Sequence, residues 1–116
     1  MQINVTFRHM NPSDSLKNYA ESKFEKFRRF LHEPVEVHVV LQVQKIRQLA
    51  EVTVKAKHVR FHGMEESQDM YASIDLVAGK IERHLIKHKE KVKDHKSAST
   101  HDVAARMEET QEASTD

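Results

Sequence analysis

Cysteine is absent from this chain of 116 residues, so the chain can form neither a disulfide framework nor a thiolate metal site. That absence fits a reducing cytosol. Long apolar runs are absent as well, since none approaches the roughly 20 residues that cross a bilayer. The first nine residues alternate apolar and polar side chains and lack the apolar stretch of a secretory signal. We therefore expect a cytoplasmic protein with no membrane partner.

Sequence features of an enzyme are also scarce. The chain has two glycines, and it contains neither a glycine-rich phosphate loop nor a glycine-flanked nucleophile. The carboxylates Glu65, Glu66 and Asp69 cluster before a predicted helix, where favourable charge at the helix dipole explains them better than acid–base chemistry. His84 and His88 stand four residues apart, which is a metal-ligand spacing, but no third ligand is evident. We expect no enzymatic activity, no cofactor, no metal and no small-molecule substrate.

The net charge of +1 conceals an uneven distribution. Residues 1–93 hold 17 Lys and Arg against 12 Asp and Glu, whereas residues 94–116 hold 2 against 6. The basic part favours a polyanionic partner. The acidic part is rich in Ser, Thr and Glu and has few apolar side chains, so burial cannot offset its chain entropy. The sequence therefore predicts one folded domain over 1–93 and a disordered acidic tail over 94–116.

Hydrophobic periodicity predicts an α+β fold of order β-α-β-β-β-α within the basic part. Apolar and polar residues alternate in four predicted strands, at 3–8, 35–44, 49–58 and 59–64. Helical spacing predicts helices over about 13–31 and 69–93, the first capped by Asn11 or Ser13 and the second by Ser67 or Asp69. Because every element has one apolar face, both helices should pack on one face of a four-stranded sheet. The first strand pair should be parallel and the remaining strands an antiparallel meander, with a turn at 45–48.

The second predicted helix carries two stripes. Its apolar residues recur at spacings of three and four and mark the face that docks on the core: Met70, Ile74, Val77, Ile81, Leu85, His88 and Val92. The cations Lys80, Arg83, Lys87 and Lys91 repeat at three, four and four. At about 100° per residue this cationic stripe lies roughly 115° round the helix from the apolar stripe. Such a row of cations suits the regularly spaced negative charge of a nucleic acid.

The first predicted helix supplies another cationic flank, formed by Lys23, Lys26 and Arg29 at spacings of three. Because both helices are predicted on one sheet face, we expect the two flanks to line a shared groove. Phosphate contacts from such side chains give salt-dependent affinity without reading bases. A merely solvated charged face is the alternative for any one helix, but the stripe on the second helix is nearly free of acidic residues.

Two segments resemble a known family. Residues 69–91, DMYASIDLVAGKIERHLIKHKEK, resemble the signature of the ribosome hibernation promoting factors, which include ribosome-associated inhibitor A. Residues 1–27, MQINVTFRHMNPSDSLKNYAESKFEKF, are similar to the first strand and helix of that family. The resemblance covers about residues 1–95. It implies the same β-α-β-β-β-α fold, related to double-stranded RNA-binding domains.

The resemblance also implies a role and a partner. Proteins of this family lie in the messenger and transfer RNA channel of the small ribosomal subunit, at the A and P sites. There they hold the ribosome inactive in stationary phase or stress. The family's basic positions fall on Lys23, Lys26, Lys80, Arg83 and Lys87, and Lys89 and Lys91 extend the basic end. With their neighbours, the residues predicted to contact 16S ribosomal RNA are Lys23, Lys26, Arg29, Lys80, Arg83, His84, Lys87 and Lys91.

The acidic tail is too short and too polar for the extra domain with which long members dimerise ribosomes, so we expect a short form. Its body resembles the short forms that cooperate with a separate ribosome modulation factor, whereas its tail length resembles ribosome-associated inhibitor A. Off the ribosome we expect a monomer. A general structured-RNA-binding module without ribosome specificity is the first alternative. A protein-interaction adaptor, which would use the polar sheet face and the tail, is the second.

Overall fold

The computed structural model describes residues 1–94, with side chains described for residues 1–89. The elements follow the predicted order β-α-β-β-β-α. They are β1 (Gln2–Arg8), α1 (Asp14–Glu25), a 3₁₀ helix (Lys26–Phe30), β2 (Glu36–Gln44), β3 (Arg47–Ala56), β4 (Val59–Ser67) and α2 (Met70–Asp94). The acidic tail predicted over 94–116 lies, apart from Asp94, outside the described residues. No helix within residues 1–94 is long and apolar enough to cross a membrane.

The four strands form one sheet in the order β1-β2-β3-β4. β1 pairs with β2 in parallel, so that Ile3 lies opposite Val37. β2 with β3, and β3 with β4, form antiparallel hairpins. The predicted parallel first pair and the antiparallel meander are therefore confirmed. α1 contacts β1, whereas α2 packs on β3 and β4, so the two helices lie side by side over the sheet.

The core lies between the helices and the sheet. Alternate residues of β2, β3 and β4 are buried on one sheet face, as the sequence predicts, those of β1 are partly buried, and large side chains of the helices cover them. The largest fully buried side chains include Phe24, Phe27, Leu41, Phe61, Ile74, Ile81 and Leu85. Each such burial contributes about 1.5–3 kcal/mol. This packing fixes the rotation of each helix about its axis, and with it the direction in which each polar flank points.

The first helix is shorter than predicted. α1 ends at Glu25 and the chain continues as a 3₁₀ helix, where the sequence predicts one α-helix over 13–31. Phe24, Phe27 and Phe30 are spaced by three residues, which matches the three residues per turn of a 3₁₀ helix. Phe24 and Phe27 are both buried, and their rings lie 5.4 Å apart. The tighter turn therefore keeps the aromatic residues on the core side.

By contrast, β3 and β4 each extend beyond the range predicted for them. The turn between β2 and β3 is confined to Lys45–Ile46, and β4 runs three residues past its predicted end. The pairing register explains both extents, because the two ladders continue to Gln44 opposite Arg47 and to Gln48 opposite Ser67.

Caps and close contacts fix the starts of the helices. The backbone N–H of Leu16 donates to the Ser13 hydroxyl, and the N–H of Ala72 donates to the Asp69 carboxylate at 3.2 Å, so one of the two predicted caps is found at each helix. The buried Ser73 hydroxyl donates to the Gln48 carbonyl oxygen at 2.6 Å and ties α2 to β3. Gly63 allows α2 to pack closely on β4, since an added Cβ would lie 3.2 Å from Ile81 Cδ1.

Candidate nucleic-acid interface

The two polar flanks of α2 face opposite sides of the molecule. At about 100° per residue, Asp75 and Glu82 form a line roughly 135° round the helix from the centre of the Lys80, Arg83, Lys87 and Lys91 stripe. The contacts of Asp75 and Glu82 are with α1 and the 3₁₀ helix. Lys80 instead contacts Glu65 of β4. We call the first flank the seam and the second the α2 stripe.

The seam consists of opposite charges paired between the helices. The Tyr19 hydroxyl donates to Asp75 Oδ1 at 2.5 Å, and the Lys23 ammonium lies 3.2 Å from the same oxygen. Further along, Arg29 Nη2 lies 3.5 Å from Glu82 Oε2. The predicted shared groove of two cationic flanks is therefore wrong, because α2 turns carboxylates towards Lys23 and Arg29.

Asp75 is the electrostatic centre of the seam. The hydrogen bond from Tyr19, and then the Lys23 ammonium, stabilise the carboxylate and hold the pKa of Asp75 below its ordinary 3.8. Contact with Asp75 in turn raises the pKa of Lys23 above 10.5, and the same carboxylate raises the pKa of Tyr19 above 10.0. The three groups therefore keep one protonation state across the neutral range. They hold α1 against α2 with little net charge left for a ligand.

The α2 stripe contains two different kinds of cation. The Lys80 side chain is only 14% exposed, and its Nζ lies 3.6 Å from Glu65 Oε2. Arg83 and Lys87 are exposed, and no carboxylate among the described side chains lies within ion-pairing distance of either. Lys91 belongs to α2, but its side chain lies outside the described residues. Arg83 and Lys87 are thus the cations of this flank that a ligand can reach directly.

The remaining predicted RNA contacts are dispersed. Lys26 is exposed on the 3₁₀ helix, and His84 is half-buried between Lys80 and Lys87 on α2. Lys89 points away from the α2 stripe, because its ammonium lies 5.9 Å from the centre of the Phe30 ring. The structure therefore brings Lys80, Arg83, His84 and Lys87 together, and it separates them from Lys23, Lys26 and Arg29.

The histidines outside the stripe have structural contacts. The His88 ring lies edge-on to Phe61, with ring centres 5.5 Å apart, which agrees with its place in the apolar stripe. On the outer sheet face, His62 Nε2 lies 2.7 Å from Glu51 Oε2. The part of the chain that the structure describes contains no group of three or more potential metal ligands close enough to share an ion.

The predicted site lacks three acidic residues that contact its cations, Asp75, Glu82 and Glu65. Asp75 is absent from the predicted site because it does not belong to a cationic row, and Glu65 is interpreted there only as helix-dipole charge. The spacing of seven residues between Asp75 and Glu82 is the available signal for the seam, since residues two turns apart share a flank. The pairing of Lys80 with Glu65 has no local signal, because it depends on where α2 crosses β4.

The amino-acid sequence is similar to those of known proteins. The family model described as Sigma 54 modulation protein / S30EA ribosomal protein matches residues 3–93. The Ribosome hibernation promoting factor of Klebsiella oxytoca is 35% identical over 95 residues, which are 82% of this chain and 100% of that protein. The protein of the same name from Azotobacter vinelandii is 37% identical over 91 residues, 78% of this chain and 85% of its own.

Solved structures agree with the fold. A ribosomal subunit interface protein from Coxiella burnetii superposes with a TM-score of 0.68 at 25% identity, covering 78% of this chain and 100% of that one. The N-terminal domain of Protein Y from Thermus thermophilus gives the same TM-score at 24% identity, over 73% of this chain and 96% of that one. The second likeness concerns the fold alone.

Proposed function

The chain belongs to the Sigma 54 modulation protein / S30EA ribosomal protein family, and we propose that it is a ribosome hibernation factor. It binds the small ribosomal subunit in the messenger and transfer RNA channel, at the A and P sites, and inhibits translation in stationary phase or stress. Inhibition is by occupancy, so it requires no catalytic residue and no cofactor. The protein acts in the cytoplasm, with 16S ribosomal RNA as its main partner.

The exposed cations of α2 carry this proposal. Arg83 and Lys87 stand on a helix whose rotation is fixed by the core, so they meet a ligand with little rearrangement. Lys and Arg that neutralise phosphates release counterions and give affinity that falls steeply with salt. His84 and Lys91 belong to the same stripe, whereas Lys26 adds a separate exposed cation on the 3₁₀ helix. Lys23, Arg29 and Lys80 contribute less, because a phosphate must compete with the carboxylates that already contact them.

The remaining assignments follow from the same proposal. Residues 1–93 form the ribosome-binding domain, and residues 94–116 are its acidic tail. The protein is a monomer off the ribosome, and on the ribosome it cooperates with a ribosome modulation factor where one is present. Particle size with and without such a factor shows whether ribosomes end as dimers or as single particles.

Sedimentation through a sucrose gradient tests the main proposal. At low salt the wild-type protein should move with the small subunit and with intact ribosomes. The variant Arg83→Glu/Lys87→Glu should stay near the top of the gradient while its circular dichroism spectrum is unchanged. Lys17→Glu/Lys45→Glu is the matched control, since it makes the same change of net charge at two exposed lysines outside the α2 stripe, whereas Arg28 is ion-paired with Glu25.

Two results would contradict the proposal at different levels. Absence of the wild-type protein from both ribosomal fractions at low salt would refute ribosome binding. Unchanged sedimentation of Arg83→Glu/Lys87→Glu would leave ribosome binding intact and refute the α2 stripe as its surface.

A general structured-RNA-binding module is the second candidate, because a sheet with two helices on one face also suits duplex RNA. Competition separates the two functions. Plain duplex RNA should displace a general binder from ribosomes about as well as added ribosomes do, but it should displace a hibernation factor poorly. Binding that is insensitive to salt would contradict both and favour a protein-interaction adaptor.

A further inference from the structure

The β3–β4 hairpin carries opposite charge arrangements at its two ends. At the open end Arg47 forms two hydrogen bonds with the Glu66 carboxylate, one of them 2.6 Å from Nε to Oε2. At the closed end the register places Lys55 directly opposite Arg60. Lys57 and His58 form the turn between them. We call these four residues, Lys55, Lys57, His58 and Arg60, the hairpin tip.

The hairpin tip is electrostatically unfavourable in the free protein. Like charges directly opposite one another on antiparallel strands are destabilising. Lys55 and Arg60 are both exposed, and neither forms an ion pair with any described side chain. Glu36 lies opposite Lys55 on β2, but its carboxylate is 3.8 Å from His38 Nε2. No ion pair with a described carboxylate therefore offsets the repulsion between Lys55 and Arg60.

The hairpin tip lies at the same end of the molecule as the C-terminal half of α2. The contact between the His88 ring and Phe61 joins α2 to the start of β4. Beside this contact is an open cleft of about 430 Å³, whose lining includes Lys57, His58, His88 and Phe30. Glu33 is the acidic residue of the lining, and its carboxylate is engaged by the N-terminal ammonium at 2.9 Å. No uncompensated acid of the cleft lining therefore separates the turn residues Lys57 and His58 from α2.

We propose that the hairpin tip is a second RNA-backbone site, which binds phosphates of ribosomal RNA at the same time as the α2 stripe. This inference rests on the proposed function, because it adds a contact to the same complex. Lys55 meets phosphodiester oxygens as a point charge and Arg60 meets them through its guanidinium N–H groups, and Lys57 extends the contact across the turn. Phosphates between Lys55 and Arg60 remove the repulsion that the free protein carries. The tip contributes affinity and orientation on the RNA without reading bases.

Affinity for purified small subunits as a function of salt tests the proposal. The variant Lys55→Gln/Lys57→Gln/Arg60→Gln removes three cations. At roughly 5- to 8-fold per phosphate contact in about 0.1 M salt, we expect a loss of roughly 100- to 500-fold and a salt slope lower by roughly 2 to 3. The matched control is Arg8→Gln/Lys17→Gln/Lys45→Gln, which has the same net charge, uses exposed cations and includes the turn lysine of the other hairpin. Its affinity should fall by less than about threefold, as solvated charges contribute little.

The melting temperature of free Lys55→Gln provides a second readout. Removal of one of the two opposed charges should raise it by roughly 1–4 °C, whereas a cation that serves stability would lower it when removed. Affinity of the triple variant within twofold of wild type would overturn the hairpin tip while leaving ribosome binding intact. Failure of the wild-type protein to bind small subunits would instead overturn the proposed function and the tip with it.

Discussion

The charges on the two flanks of α2 differ in what they contact. On the seam, Asp75 contacts Lys23 and Tyr19, and Glu82 contacts Arg29. On the α2 stripe, Arg83 and Lys87 project from the helix without a carboxylate among the described side chains beside them. The first flank therefore joins two elements of the fold, and the second presents charge to a ligand.

This difference shows that a count of cations does not identify a binding surface. Lys23 and Arg29 have the spacing expected of a phosphate-binding row, but their charges are already compensated in the free protein. A phosphate that replaces Asp75 must first break the contact between Lys23 and Asp75, and the free energy of that contact is subtracted from binding. One that reaches Arg83 exchanges only water and counterions.

Neutral substitutions on each flank compare the two flanks directly, and they should give the largest difference in affinity between them. Arg83→Gln/Lys87→Gln removes two available phosphate contacts, so affinity for small subunits at about 0.1 M salt should fall by roughly 20- to 60-fold. Lys23→Gln/Arg29→Gln makes the same change of charge on the seam. Its affinity should fall by less than about threefold, while its free energy of unfolding falls by up to about 1 kcal/mol. Affinity is measured by titration of labelled protein with subunits, and stability by urea unfolding.

A greater loss of affinity on the seam would contradict this difference between the flanks. If the seam variant loses the greater affinity at unchanged stability, then RNA binding displaces Asp75 and Glu82, and the seam opens in the complex. A third pair, Lys17→Gln/Lys45→Gln, controls for the loss of two positive charges as such. It should change affinity by less than either of the other variants.

The sheet could be predicted from sequence because its strands have one buried face and one solvent-exposed face. Val37, Val39 and Leu41 alternate with polar residues, and the register confirms this alternation. The change from α1 to a 3₁₀ helix could not be predicted, since spacings of three occur in both kinds of helix. The shared groove is wrong for a longer-range reason. Which flank of α2 meets α1 depends on the strand order, which places α2 over β3 and β4.

Lys80 tests whether a cation of the α2 stripe binds RNA or stabilises the fold, because it lies on the stripe but contacts Glu65. Lys80→Glu places two carboxylates together and should lower the free energy of unfolding by about 1 kcal/mol. The exchanged variant Lys80→Glu/Glu65→Lys restores an opposite pair and should recover most of that loss. Urea unfolding of the two single variants and the double variant measures the coupling between the positions.

The same variants distinguish an anchor from an RNA contact. If Lys80 mainly anchors α2 to β4, Lys80→Gln should weaken subunit binding by less than about fivefold, below the loss expected for one full phosphate contact. A loss equal to that of Arg83→Gln, with no coupling between positions 65 and 80, would place Lys80 with the available cations.

Protonation of Asp75 at low pH should weaken the seam, and this is the smallest of the expected effects. The pKa of Asp75 is lowered in the folded state, so its contribution is fully present above the unfolded pKa of about 4 and is lost as pH falls through the folded value. The side chain is 47% exposed, so solvent screening keeps the contribution below about 1 kcal/mol. Asp75→Asn should therefore be less stable than wild type at pH 7 and nearly equal to it in strong acid. Urea unfolding at both pH values measures the difference.

A carboxylate without a seam contact provides the control for this last prediction. Glu21→Gln, on the same helix as Tyr19 and Lys23, should change stability by a similar small amount at both pH values. If the deficit of Asp75→Asn persists unchanged in acid, then the Tyr19 hydrogen bond, and not the negative charge, accounts for the contact. The seam would then be a polar packing contact, and Lys23 would be available to RNA together with Arg83 and Lys87.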